Sequence, residues 1–253
     1  MLVSKHKLVQ QYRDYWDKGA AVYDEIVDAE FASNRYDQWK GILSHFLSGK
    51  SNLKVLDVGT GPGFFAVLLS QMGHQVTAID SSPEMVARAN QNAHKYNCSI
   101  QVIETDIIEY KTEEKYDIII SRNVTWFLYN PVAAYQNWHG MLNDGGQVII
   151  FDANWNLFLS DPKEAELFQK DKEEAAAKGY VPYRPEKDVE EGDQLALTLP
   201  LSYVRRPEWD SEMLRSIGFA QIQIHQGFDG ELYHRGEQIL NRHRPMFAIV
   251  ANK

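Results

Sequence analysis

Apolar positions follow two spacings along this chain, and the change from one to the other marks its elements. Between Tyr12 and Phe46 they recur every three or four residues, as Tyr12, Tyr15, Trp16, Tyr23, Ile26 and Val27, then Tyr36, Trp39, Leu43 and Phe46. That period predicts a pair of amphipathic helices packed on a core. From residue 54 onward short unbroken apolar runs take over, at 54–58, 75–79, 100–103, 116–121 and 147–152. Runs of this kind are buried on both faces, as the strands of a parallel sheet are. Helical patterns at 64–72, 83–96 and 131–142 separate them, so strand and helix alternate and an α/β fold follows.

The second half is less regular. Residues 153–208 hold a Lys/Glu/Ala-rich helical stretch at 162–178, a Gly-Tyr-Val-Pro-Tyr-Arg-Pro turn at 179–185, a run of acids and the apolar 195–201. An insertion this long at the end of a strand reads as a lid over a binding site. After it come a helix at 209–217 closed by Gly218, a strand at 220–225 and a final strand at 245–251.

The chemistry gathers at the first strand, which ends in Asp57-Val58-Gly59-Thr60-Gly61-Pro62-Gly63 and runs into a helix. Glycines permit positive φ and close approach of a ligand to the backbone, and the helix start adds N–H donors and a positive dipole end. A dinucleotide-binding loop needs Gly-x-Gly-x-x-Gly, and Phe64 stands where that pattern requires its third glycine. The second strand ends at Asp80, where an ionised carboxylate can accept two hydrogen bonds from a ribose diol. Ser82-Pro83-Glu84 follows, so Asp80 also reads as an ordinary aspartate at a helix start.

The Asp57–Gly63 run, with its preceding strand, resembles motif I of the class I S-adenosylmethionine (SAM) dependent methyltransferases. The resemblance is at the level of motifs over residues 52–152 and of topology from 209 onward. It implies a Rossmann-like sheet of seven strands, mostly parallel with the last antiparallel, divided as an N-terminal helical cap (1–50), a SAM-binding core (51–152), an inserted lid (153–208) and the rest of the sheet (209–253). It implies SAM as cofactor and S-adenosylhomocysteine (SAH) as product. Asp57, Gly59, Thr60, Gly61 and Gly63 would line the cofactor, with Asp80 and Ser81 at the ribose, Asp106 accepting from the adenine amino group and Ile107 packed on the ring. Asn123 and Trp126, at the end of the fourth strand, would border the methyl group. Enzymes of this family that methylate amide or base nitrogens often carry an Asn- or Asp-Pro-Pro-aromatic motif there, and both prolines are missing here.

The acceptor is expected to be a small molecule, bordered by Tyr15, Trp16 and Tyr23 of the cap and by Trp126, Asn154, Trp155 and Tyr183. Aromatic rings supply rigid apolar walls and attract cations through their faces. Candidate general bases are His225, His234, His243 and Asp152. The single Cys98 provides neither a disulfide nor a metal cluster, and no metal is expected. A formal charge of −9 works against nucleic acid as partner, and no apolar run is long enough to cross a bilayer. With no apolar leader visible, a cytoplasmic location is expected. Two other readings stay open, a non-catalytic SAM or SAH binding module and an NAD(P)-dependent oxidoreductase.

Overall fold

The computed structural model describes residues 5–180 and 186–253, and the side chains from residue 7 to 180 and from 189 onward. Its seven strands form one sheet in the order β3-β2-β1-β4-β5-β7-β6. The chain divides into two compact units, 1–121 with 141–146, and 122–140 with 147–253.

In the first unit, helices α1 (Lys5–Phe31) and α2 (Arg35–Phe46) precede β1 (Lys54–Val58). The three- and four-residue spacing does its expected work, since Tyr12, Tyr15, Val27, Trp39 and Leu43 are all buried. Trp39 meets Phe65 edge-on at 5.0 Å, and Phe31 packs on Phe64 at 4.8 Å, so both helices are seated on α3 (Phe64–Gln71). Strand β2 (Gln75–Asp80), α4 (Pro83–Lys95), β3 (Ile100–Glu104) and β4 (Tyr116–Arg122) follow. β1 pairs in parallel with β2 and β4, and β2 with β3. In this unit the edge strand β3 leaves its side chains largely open to solvent, whereas β1 and β2 are buried almost throughout, as their unbroken apolar runs require.

The second unit holds α5 (Pro131–Met141) up to Gly140 and most of β5 (Leu142–Asp152). β5 begins five residues before the predicted strand, through what the sequence reads as a turn. There the Asn143 amide donates to Asp117 Oδ1 at 2.8 Å, and a Cβ on Gly146 would meet the Asn143 carbonyl at 2.9 Å. The inserted region carries α6 (Pro162–Ala177) and α7 (Glu186–Ala196), and α8 (Glu208–Ile217), ended by Gly218 at φ 119°, leads to β6 (Ala220–Gln226). Two short helices, α9 (Asp229–Leu232) and α10 (Arg235–Leu240), precede β7 (Phe247–Asn252). β7 runs antiparallel to both β5 and β6, the reversed last strand that the resemblance implied.

Candidate functional site

The turn after β1 passes through Gly59, Gly61 and Gly63 at φ 67°, 55° and 92°, a region that side-chain-bearing residues rarely adopt. The Gly59 and Thr60 N–H groups both donate to the Ile79 carbonyl, at 2.9 and 3.0 Å, which pins the loop to the end of β2. Gly61 N–H donates to Asp80 Oδ2 at 2.9 Å, while Asp80 Oδ1 accepts from Ser82 N–H at 2.9 Å. One carboxylate therefore fixes the glycine loop and the start of α4 together. A carboxylate has about four acceptor positions, so the backbone donors of Gly61, Ser82 and Ser81 leave part of that capacity for a ribose hydroxyl. The reading of Asp80 as an aspartate at a helix start is met by its bond from Ser82 N–H. Burial pushes its pKa up to about 6, against the pull of the Ser82, Gly61 and Ser81 N–H groups.

Asp57 lies behind the loop, where its Oδ2 accepts from the Thr60 hydroxyl at 2.7 Å and both side chains are buried. A Cβ on Gly61 would meet nothing nearer than Met85 Sδ at 4.0 Å, whereas one on Gly63 would press on Ala89 at 3.3 Å. Gly61 thus faces open space and Gly63 faces α4. No side chain caps α3, so its positive end lies directly behind the loop. This loop fits a cofactor that brings polar groups to backbone and a diol to Asp80.

Neighbouring strand ends bring in the next residues. Ser81 Oγ accepts from Ile107 N–H at 3.3 Å, and Asp106 Oδ1 accepts from Ile108 N–H at 2.9 Å. The cap is fastened alongside by a polar ladder between α1 and α4. Asp17 accepts from the Ser82 hydroxyl at 2.5 Å, Asp24 from Arg88 at 2.8 Å and Asn92 at 2.9 Å, and Asp28 from Lys95 at 2.6 Å. Asn92 also donates to the Pro62 carbonyl at 3.0 Å, tying this ladder to the glycine loop. Of the three cap aromatics, Tyr15 is buried as core, while Trp16 and Tyr23 are half-buried and meet edge-on at 5.4 Å.

In the second unit, Asn123 takes the left-handed conformation at φ 57° and donates its N–H to the Phe151 carbonyl at 2.8 Å. Asparagine is among the few side chains that tolerate this geometry. Its own carbonyl accepts from Trp126 Nε1 at 2.9 Å. Trp126 N–H donates to Asp152 Oδ2 at 2.9 Å, and the Thr125 hydroxyl donates to the same oxygen. Asp152 is fully buried and pairs with Arg206 Nη1 at 3.0 Å; Arg206 Nε and Nη2 reach Asp210 at 2.7 and 3.1 Å, and Tyr135 donates to Asp210 at 2.5 Å. Burial alone would lower the Arg206 pKa, but Asp210 and Asp152 outweigh it and hold the guanidinium charged. Asp152 is therefore engaged by an internal cation and shut off from solvent, which corrects its reading as a base.

The remaining candidates are also placed by structure. His234 caps α10, its Nδ1 accepting from Gly236 and Glu237 N–H at 3.2 and 3.4 Å, so its ring does the work of an N-cap. His225 is half-buried on the edge strand β6, and His243 Nδ1 lies 2.6 Å from the buried Asp171. Asn154 is not turned to a ligand: its amide pairs with both the N–H and the carbonyl of Arg206, at 2.9 and 2.7 Å. Trp155 stands with Phe158 and Phe168 around the Arg244 guanidinium, so these rings already hold a cation of the protein itself. Tyr183 lies outside the described residues. No group of three or more metal-ligating side chains occurs among the described residues.

A family model described as a methyltransferase domain matches residues 49–206, more than half of the chain. The chain belongs to that methyltransferase family. With the seven-stranded sheet and its reversed last strand, this makes it a class I SAM-dependent methyltransferase. The methyltransferase is 30% identical over 113 residues to a ubiquinone biosynthesis O-methyltransferase of Rickettsia akari, a match covering 45% of each chain. It is 27% identical over 218 residues to a carboxy-S-adenosyl-L-methionine synthase of Helicobacter hepaticus, covering 81% of this chain and 86% of that one. A tRNA1(Val) (adenine(37)-N6)-methyltransferase of Glaesserella parasuis is 35% identical over 86 residues, 32% of this chain and 37% of the other. The chain thus spans less than half of the first curated relatives it matches. In fold it is similar to Haemonchus contortus phosphoethanolamine N-methyltransferase 2 bound to phosphomonomethylethanolamine and SAH, with TM-score 0.65 and 18% identity, covering 100% of this chain and 60% of that one.

Sequence reasoning missed Arg206, Asp210, Asp17 and Arg244. Arg206 lies just ahead of α8 and Asp210 in its first turn, so their pairing does not follow from a helical face. Nothing local distinguishes the buried Arg206 from the exposed Arg205 beside it.

Proposed function

We propose that this methyltransferase transfers the methyl group of SAM to a small-molecule acceptor. The observation that carries the reading is the Asp80 carboxylate, which braces the glycine loop through Gly61 N–H and keeps acceptor capacity for a ribose. When bound, SAM supplies an electrophilic methyl on its sulfonium. The chain's part is to hold and align: Gly59, Gly61 and Gly63 with Asp80 and Ser81 receive the cofactor, and Asp106 and Ile107 receive its adenine. Asn123 and Trp126 border the transferred methyl group, Asn123 held by the Phe151 carbonyl and Trp126 by Asp152. Fixing two reactants in line at about 3–3.5 Å removes much of the entropic barrier.

A small acceptor agrees with the net charge of −9, which opposes a polyanion. The relatives' names span ubiquinone biosynthesis and tRNA, so the substrate class is tested directly. The chain is incubated with a metabolite extract and methyl-labelled SAM, and binding of SAM, SAH and NAD is followed by calorimetry. Label in a small extractable product, with heat from SAM and SAH alone, is the expected result. Label in RNA or protein would refute the small acceptor, and SAM binding without any labelled product would favour a pure binding module. A second reading, transfer of a carboxyl group from a donor in the extract onto the SAM methyl, which gives up a proton, is favoured by the breadth of the carboxy-SAM synthase match. It predicts a heavier cofactor in the same assay.

A further inference from the structure

Two arginines of the second unit, Arg206 buried and Arg244 half-buried, have different surroundings. Arg206 has carboxylates on both sides. Arg244, just ahead of β7, has rings instead: Phe168 at 3.9 Å and Trp155 and Phe158 at 5.8 Å from the guanidinium carbon. Its Nη1 donates to the Trp155 carbonyl at 3.0 Å, but Nε is closed off without a hydrogen-bond partner. Rings cover the faces of a guanidinium, while its donors radiate in the plane, so stacking cannot satisfy them. Nε and Nη2 share the edge that takes two oxygens of a carboxylate or phosphoryl group in parallel hydrogen bonds.

No described carboxylate pairs with Arg244. Asp171 and Asp193 act on it from a distance only, and Asp171 is engaged by His243 at 2.6 Å. Burial pulls the Arg244 pKa down to about 10, so it remains a cation at neutral pH. Burial raises the pKa of the half-buried Tyr233, while Arg122 and Arg244 draw it down. Arg122 is the last residue of β4, next to Asn123. A partly desolvated cation with no carboxylate paired to it directly among the described residues is a surrounding in which an incoming anion gains.

We propose that Arg244 receives an oxyanion, a carboxylate or phosphoryl group, carried by the methyl acceptor. The link to the acceptor rests on the methyltransferase reading; the anion site stands on its own geometry. The full chain labelled with [15N]arginine is titrated with inorganic phosphate and, separately, with acetate at constant ionic strength. One Nε–H resonance, missing in Arg244→Lys, is expected to move saturably, and the probe that moves it names the oxyanion. If Arg244→Lys does not fold, Phe168→Leu identifies the same resonance by removing the ring current over it. SAM binding, measured on the same samples, should be unchanged. If neither probe moves the resonance while SAM still binds, the anion site is overturned and the methyltransferase reading is untouched. An anion response in a protein that binds no SAM overturns the link to a methyl acceptor.

Discussion

Asp80 shows how much one residue position can carry. Its pKa of about 6 means that the ionised, accepting form is lost as pH falls through that value. SAM affinity should therefore be highest above pH 6 and decline below it, and calorimetry across pH 5–8 checks this. Asp80→Asn, which cannot ionise, should bind at least tenfold more weakly at pH 7.5 and show no inflection, because each charge-assisted bond contributes roughly 1.5–3 kcal/mol. Trp126 is tested by a split between two readouts. Trp126→Ala should lower kcat far more than SAM affinity, and equal losses in both would make the ring a core element. Asp57, the three glycines and Asp80 were legible because short-range backbone geometry dictates them. Arg206 and Arg244 were not, because Asp152 and the rings around Arg244 stand more than fifty positions away in the chain.

At the scale of elements, alternation of buried strands and helices was readable because both periods are local. The lid was only partly so. Its expected role as an aromatic wall assumed rings free to meet a ligand, yet Trp155, Phe158 and Phe168 enclose Arg244. Tyr180 packs so closely on α10 that a Cβ on Gly236 would overlap its ring. The end of the inserted region is likewise part of the core, through Arg206. Arg206→Ala would leave Asp152 and Asp210 as buried unpaired charges, at a cost of about 3–5 kcal/mol. Urea denaturation should show that loss, and Arg206→Met combined with Asp152→Asn and Asp210→Asn should recover most of it.

Across the whole molecule, the segment 153–208 cannot be exchanged for a linker without consequence. That deletion removes Arg206 and Asn154 together, and the product should be insoluble or unfolded by circular dichroism. A narrower deletion that keeps residues 153–160 and 200–208 spares the buried pairs but removes Phe168 and α6. It should still bind SAM and lose selectivity among acceptors; full turnover on the normal acceptor would reduce the helices to a stabilising role.

The Asp152–Arg206–Asp210 arrangement also constrains how this sequence can diverge. Asp152 and Arg206 stand 54 positions apart in the chain but form one electrostatic unit. A lineage that loses the arginine inherits two acids it can no longer neutralise. In descendants of this sequence, therefore, position 206 should change in step with 152 and 210, and a neutral residue there should be accompanied by neutral residues at both.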